Sequence, residues 1–269
     1  MKKHKLLSAS LPVLILASCS SSDDKSETAR PADTAKITEE AAPDTTAVNN
    51  IPFEVQKFEK QKGENELEIE YPVKGNPELV KSVQKWMSEM LTNTYRGDMN
   101  DPEAFFRHYS AQLGEDPDLN EYGGYTKDDF EVEYINDYVL TYDYTSYIYE
   151  GGAHGMGGTY GTSFLQSDGT IFTKECFTSY EPMRSLFIKG LKQYFKVQTD
   201  DELKECLMGN SLSTLSPPGM DPWIVEEGVV FSYTPYEIAP YSAGSPNFTI
   251  PYSEIEPYLT EQGKKFFGK

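Results

Sequence analysis

Histidine and cysteine are scarce in this chain, with three of each in 269 residues. That leaves little material for a zinc or iron–sulfur site with several ligands, and no cofactor or metal is expected. Basic residues are also short: 24 Lys and Arg stand against 43 Asp and Glu, for a net charge of −19. Binding phosphates needs a basic face, so nucleic acid is excluded as a partner. No apolar run of about 18 residues, the length that spans a membrane, occurs. No Gly-x-Ser-x-Gly elbow, EF-hand loop or internal repeat is present, and no catalytic residue is assigned. Aromatic residues are plentiful, with 19 Tyr and 14 Phe. A chain so rich in them is expected to fold around a packed core.

The N-terminus reads as an address. Lys2, Lys3 and Lys5 precede a short apolar stretch, Leu6 to Leu16. Leu16-Ala17-Ser18-Cys19 then has the form of a lipobox, in which the Cys sulfur forms a thioether with a diacylglycerol and becomes the new N-terminus. Residues 1–18 are therefore expected to be a signal peptide and Cys19 a lipid anchor in a membrane of the cell envelope. The simpler reading is a secreted protein with a chance Cys. Ser20-Ser21-Ser22-Asp23-Asp24 is similar to an acidic export signal for the outer face of an outer membrane, or else it merely starts a linker. Residues 19–50 contain no aromatic residue and are rich in Ala, Thr, Ser, Asp and Glu, so a disordered tether is expected.

The remainder predicts alternating strands and helices. Phe53–Phe58 and Leu67–Tyr71 alternate apolar with polar residues around a turn at Lys62-Gly63-Glu64-Asn65. Asn76-Pro77 and Asp101-Pro102 are helix starts. The first helix carries a stripe of Leu79, Val80, Val83, Met87, Met90 and Leu91, with Trp86 at its edge. Tyr138–Tyr149 reads as a long strand. One face holds Tyr138, Leu140, Tyr142, Tyr144 and Ile148 and is expected in the core. The other holds Thr141, Asp143, Thr145, Tyr147 and Tyr149, as a recognition surface or a solvated one. Helical spacing recurs over Met183–Phe195, Asp200–Met208 reads as a short helix, and strands are expected at Val229–Tyr233 and Phe248–Ile250. Hairpins with segregated helices predict an α+β fold with antiparallel sheets, one compact unit in two halves: 51–120 and 121–269.

Five of the eight residues Gly151–Gly158 are Gly, so the backbone there needs φ > 0 or approaches another group closely. A phosphate loop is excluded, because a strand follows and no Lys is adjacent. His154 is either a general base or a ring that fixes the loop by bonding a carbonyl. Cys176 and Cys206 suit either a disulfide or two buried thiols. Paired carboxylates of a cell-wall enzyme stay open, since sequence alone places no pair across a cleft.

Tyr149-Glu150-Gly151-Gly152-Ala153-His154-Gly155 resembles the Tyr-x-Gly-Gly-Ala-His motif of the RsiV/PdaC-type extracellular domain (DUF3298). The likeness continues through Gly169, Thr173 and Phe177, and through Pro235–Gly244 and Ile250-Pro251-Tyr252. The ββα segment at 51–120 resembles the DUF4163-like half that accompanies that domain. The resemblance implies an α+β fold and a recognition module near the cell wall. RsiV-type proteins bind lysozyme, and PdaC-type proteins carry the domain beside a peptidoglycan deacetylase. Within these residues there is neither a spanning helix nor a deacetylase domain, so neither signalling nor deacetylation is carried over. The expected function is a non-catalytic binding module for lysozyme or another basic protein, because opposite charge speeds encounter. Peptidoglycan or another glycan is the alternative partner. Tyr147, Tyr149, His154, Glu237, Pro240 and Tyr241 are the candidate binding residues, the last three through the family block Glu237-Ile238-Ala239-Pro240-Tyr241.

Overall fold

The computed structural model describes residues 51–209 and 211–269. The expected leader, Cys19 and tether lie outside the described residues. A hairpin opens the fold, β1 (Glu54–Lys62) and β2 (Asn65–Lys74), joined by a two-residue turn with Gly63 at φ 64°. Helix α1 (Pro77–Met90) starts where Asn76 Oδ1 accepts from Glu78 N at 3.0 Å. Helix α2 (Pro102–Ser110) starts where Asp101 accepts from Ala104 N at 2.9 Å. A short helix that the periodicity did not predict, α3 (Pro117–Glu121), follows. Then come β3 (Tyr125–Ile135), β4 (Val139–Tyr149) and β5 (Met156–Leu165). These five strands form one sheet in the order β1-β2-β3-β4-β5.

The expectation of purely antiparallel sheets is corrected at one seam. β2 and β3 pair in parallel, Glu66 opposite Lys127 through Ile69 opposite Phe130. The reason is the connection: α1 to α3 lie between the two strands, and a long crossover can return a strand in either direction, whereas a tight turn cannot. The first sheet is therefore mixed.

The second half holds α4 (Arg184–Phe195), α5 (Asp200–Cys206) and the antiparallel sheet β6 (Trp223–Val225), β7 (Gly228–Ser232), β8 (Asn247–Ile250). Short helices α6 (Tyr252–Ile255) and α7 (Glu261–Lys265) end it. All of 51–269 belongs to one compact unit with two cores. In the first, Trp86 meets Phe130, Tyr142 and Phe164 at 5.6–5.9 Å between ring centres. Trp86 is thus inside the core, not at its edge. In the second, Phe177, Phe187 and Phe248 surround Phe231. The first core draws on residues 53–171, and the second mainly on residues from 165 onward, together with Tyr134 and Val139 of β3 and β4.

Strand β4 touches both cores. Leu140, Tyr142 and Tyr144 face the first, as their alternation predicts. Tyr138 departs from that face and is exposed, lying just outside the strand. On the opposite side Val139 belongs to the second core, and Thr141 is fully buried. Thr141 is therefore neither solvated nor a recognition residue. Its hydroxyl bonds Ile224 O at 2.7 Å and Ser163 Oγ at 2.7 Å, while Ile224 N donates to Ser163 Oγ at 2.7 Å. A carbonyl only accepts, so the Thr141 proton goes to Ile224 O. Ser163 must then donate to Thr141, and a closed ring of three hydrogen bonds results.

Cys176 and Cys206 are both free thiols, so the disulfide reading is corrected. Cys176 is buried in a 3-10 turn whose carbonyl accepts from Thr260 N at 2.9 Å. The half-exposed Cys206 Sγ lies 3.5 Å from Glu202 O within its own helix.

Thr141→Val keeps the shape but strands the Ile224 carbonyl and one Ser163 bond. We expect a stability loss of about 1–3 kcal/mol in urea unfolding. A loss under about 0.5 kcal/mol, the size of an ordinary surface change, would show that the ring is dispensable.

Candidate functional site

The Gly-rich run and the end of β4 build an aromatic face. Tyr125 and Tyr149 are directly paired across β3 and β4, and Tyr147 lies opposite Lys127. Tyr125 stands 5.8 Å from Tyr147 and 5.6 Å from Tyr149 between ring centres. Alternation puts all three on one side of the sheet. Opposite Tyr147 on β5 is Gly157, where a Cβ would overlap the Ser146 carbonyl. A Cβ on Gly155 would overlap the Tyr147 ring. Gly151 and Gly152 take φ 78° and 146°. The run therefore needs glycine for both reasons that the sequence offers: left-handed backbone and close approach.

Tyr149 pins the loop. Its hydroxyl donates to Gly152 O at 2.8 Å and accepts from Gly152 N at 3.0 Å. The His154 ring stacks on Tyr241, with centres 4.0 Å apart and planes 19° apart. His154 Nδ1 meets Gly155 O at 3.1 Å, which places its proton on Nδ1 because the carbonyl can only accept. The Tyr241 hydroxyl donates to the same carbonyl. The clip joins the loop of the first sheet to the 234–244 loop of the second half. Beyond it stands Tyr236, 5.6 Å from Tyr241 and exposed, with φ 68°. Sequence reasoning missed Tyr236 and Tyr125. The signal for Tyr125 was its register with Tyr149, which needed the β3–β4 turn to be placed.

Two other candidate residues, Glu237 and Pro240, stand on the same 234–244 loop. Glu237 is no free acid: its carboxylate accepts from Gly219 N at 2.7 Å, Thr234 N at 2.8 Å and Thr234 Oγ1 at 3.1 Å. It fastens two loops and offers little to a partner. Pro240 is exposed and precedes the 3-10 turn Tyr241–Ala243.

The same side of the sheet is acidic away from the tyrosines. Glu59 faces Glu68, Glu68 faces Asp129, and Glu131 faces Asp143. Lys57 and Lys127 answer only in part, 3.2 Å from Glu68 and Glu66. Burial, then Glu131 and Glu68, raise the Asp129 carboxyl above its ordinary value. Burial, then Glu133 and Glu131, push Asp143 up to about 6, and its Oδ1 has no hydrogen-bond partner among the described residues. Asp143 also pairs with Gly161, on which the Trp223 ring lies so closely that a Cβ would overlap it. Between the two sheets opens a cleft of about 550 Å³ lined by Glu133, Thr159, Tyr194, Trp223, Glu227 and Asn247, among others. Among the described residues, no group of three or more His, Cys, Asp or Glu could hold a metal ion, and no helix is long and apolar enough to cross a membrane.

Fold and surface define an α+β domain that presents a tyrosine face beside an acidic one. Residues 170–253 match the model of a family described as "Protein of unknown function (DUF3298)". That match holds Glu237, Pro240 and Tyr241 and leaves the Gly-rich run outside. No curated protein matches the chain significantly. The crystal structure of a DUF3298 family member from Bacteroides fragilis is 18% identical, with 82% of this chain and 98% of that chain covered and a TM-score of 0.58. A DUF3298 family protein from Pseudomonas aeruginosa is 17% identical, with 79% and 95% covered and a TM-score of 0.49. The first likeness shows the fold.

Asp143 has a folded pKa above its unfolded one. Its favourable contribution is therefore whole below about pH 4 and lost as pH rises through about 6. The undiluted shift is worth about 3 kcal/mol, and partial solvent contact reduces that to about 1 kcal/mol. Asp143→Asn should leave stability unchanged at pH 4 and raise it by about 1 kcal/mol at pH 7.5. Chemical unfolding at both values checks this, and a variant no more stable than the wild type at pH 7.5 refutes it.

Proposed function

We propose that this chain is a lipoprotein of the cell envelope that acts as a non-catalytic binding module for a basic protein, lysozyme being the first to try. In this reading residues 1–18 are removed, Cys19 carries the lipid in the outer membrane, and residues 20–50 tether the folded unit. The DUF3298 domain is of the RsiV/PdaC type, with 51–120 as its DUF4163-like companion.

One observation carries the reading. Tyr125, Tyr147, Tyr149, Tyr241 and Tyr236 form a shallow aromatic rim with neighbouring rings 5.6–5.8 Å apart along each of its two stretches. A rim of that kind suits a macromolecule better than a small substrate, which needs a concave site. Tyr gives contact area at low entropy cost. The adjoining acids supply a long-range field that a cationic partner follows to the rim.

Lysozyme should bind the chain at low ionic strength and lose affinity steeply as salt is added. Tyr236→Ala should weaken the complex about tenfold, as for an interface anchor. Glu237→Gln should cost about 1–2 kcal/mol of stability yet leave the affinity of the folded protein close to wild type. Calorimetry with a salt series checks all three. Absence of a complex at low salt would sink the reading.

A further inference from the structure

The cleft between the two sheets has the chemistry of a sugar site, and nothing in the binding reading above uses it. We propose that it binds a saccharide: a short stretch of neutral or amino-substituted pyranose rings, as distinct from an acidic sugar.

Two aromatic side chains line the cleft and are held from behind. Trp223 lies against Gly161 with no room for a Cβ between them. The Tyr194 hydroxyl donates to Ala243 O at 2.5 Å, which holds its ring in the wall. The half-exposed Tyr194 ring offers flat apolar surface to the C–H face of a pyranose, with little entropy left to lose on binding, and Trp223, 6% exposed, adds only the small part of its ring left uncovered. The polar groups are free to recognise hydroxyls. Among the described residues, neither Glu133 nor Glu227 makes a hydrogen bond or ion pair through its carboxylate. A carboxylate accepts two hydrogen bonds from neighbouring ring hydroxyls in one plane. Asn247 donates one amide proton to Ser245 O at 3.0 Å, and its carbonyl oxygen remains an acceptor. The volume of about 550 Å³ falls in the range of small-ligand sites.

Charge decides the class of sugar. Among the described residues, no Lys or Arg lines the cleft. Glu133 and Glu227 stand in its wall, and Asp143 with its ladder partner Glu131 lies on the strands behind. A carboxylated or sulfated sugar would be repelled, a neutral one accepted and an amino sugar attracted. Gly158 of the Gly-rich run is in the cleft wall, so the cleft opens beside the tyrosine rim. Free oligosaccharide and wall polymer share this chemistry.

The test titrates the full chain with three trisaccharides: glucosamine trimer, cellotriose and trigalacturonate. The readout is Trp fluorescence: Trp223 lines the cleft, and Trp86, which stands in the first core and not in the cleft wall, serves as the reference. Glucosamine trimer and cellotriose should bind with dissociation constants of about 1 mM or tighter, the amino sugar more tightly, and trigalacturonate should not bind. Glu227→Gln should weaken cellotriose about tenfold and lower the preference for the amino sugar. Co-sedimentation with purified cell wall then asks whether the polymer is held through the same residues. Loss of sedimentation in Glu227→Gln supports a wall ligand, and retention of trimer binding with no sedimentation supports a soluble one. Asn247→Ala should reduce sugar affinity while lysozyme binding stays intact, and Tyr236→Ala should do the reverse, so the two readings fail separately. No saturable response to cellotriose or the amino trimer up to about 10 mM, or equal binding of trigalacturonate, overturns the proposal.

Discussion

The two halves of the fold are joined by a ring of three hydrogen bonds. β6 pairs with β7 through one of its edges, with Trp223 opposite Val230 and Val225 opposite Gly228. The main-chain groups of Ile224 therefore point the other way, toward the first sheet, where another strand would normally meet them. No strand does. Thr141 takes the carbonyl and Ser163 takes the N–H. Two side chains thus do the work of a strand, and they let a sheet edge be buried without orphaned polar groups. Because all the groups are buried, each bond removed exposes the full desolvation cost of its partner. The ring also specifies register. A slip of one residue along β4 or β5 would replace a hydroxyl by Leu140 or Phe164.

That joint sets what the surface can be. Covering Thr141 and Gly161 with β6 leaves the Tyr147–Tyr149 end of the same strand open. One face of β4 thereby changes from core to rim within eight residues. Glycine makes the transition possible from the β5 side, since Gly157 and Gly161 sit opposite Tyr147 and Asp143. The first lets a loop come close to a tyrosine, and the second lets an indole lie flat on the backbone. The aromatic rim and the cleft are neighbours because both depend on missing side chains of one strand.

How much of this could be read from the chain follows from how local each signal is. Asn76-Pro77 and Asp101-Pro102 named their helices, because capping is settled within three residues. The alternation of Leu140, Tyr142 and Tyr144 named a core face, because burial against the first core covers that whole stretch. The same rule failed for Thr141, since only part of the other face is covered, by a strand of three residues some eighty positions away. The parallel pairing of β2 with β3 was illegible for a similar reason: hairpin turns are written locally, and the return of a strand after three helices is not. The Tyr-x-Gly-Gly-Ala-His run was legible as a place of close approach. The fastening role of Glu237 was not legible, because an acid that caps two loops and an acid that waits for a partner look alike in sequence, and only the facing amides of Gly219 and Thr234 show the first.

Asp143 shows what the joint costs the molecule electrostatically. On an uncovered sheet its carboxylate would be solvated, and Glu131 opposite would be screened by water and salt. With β6 in place, part of that water is displaced while Glu131 and Glu133 remain, so both burial and like charge act against ionisation. No Lys or Arg is among the groups that perturb it. The arrangement is unfavourable for stability alone, and a hydrophobic or amide side chain would fit the position better. A face that keeps such an acid beside four others is strongly negative next to the cleft and the rim. The electrostatic cost and the negative field beside the rim therefore have one source, and relieving the first by removing carboxylates weakens the second.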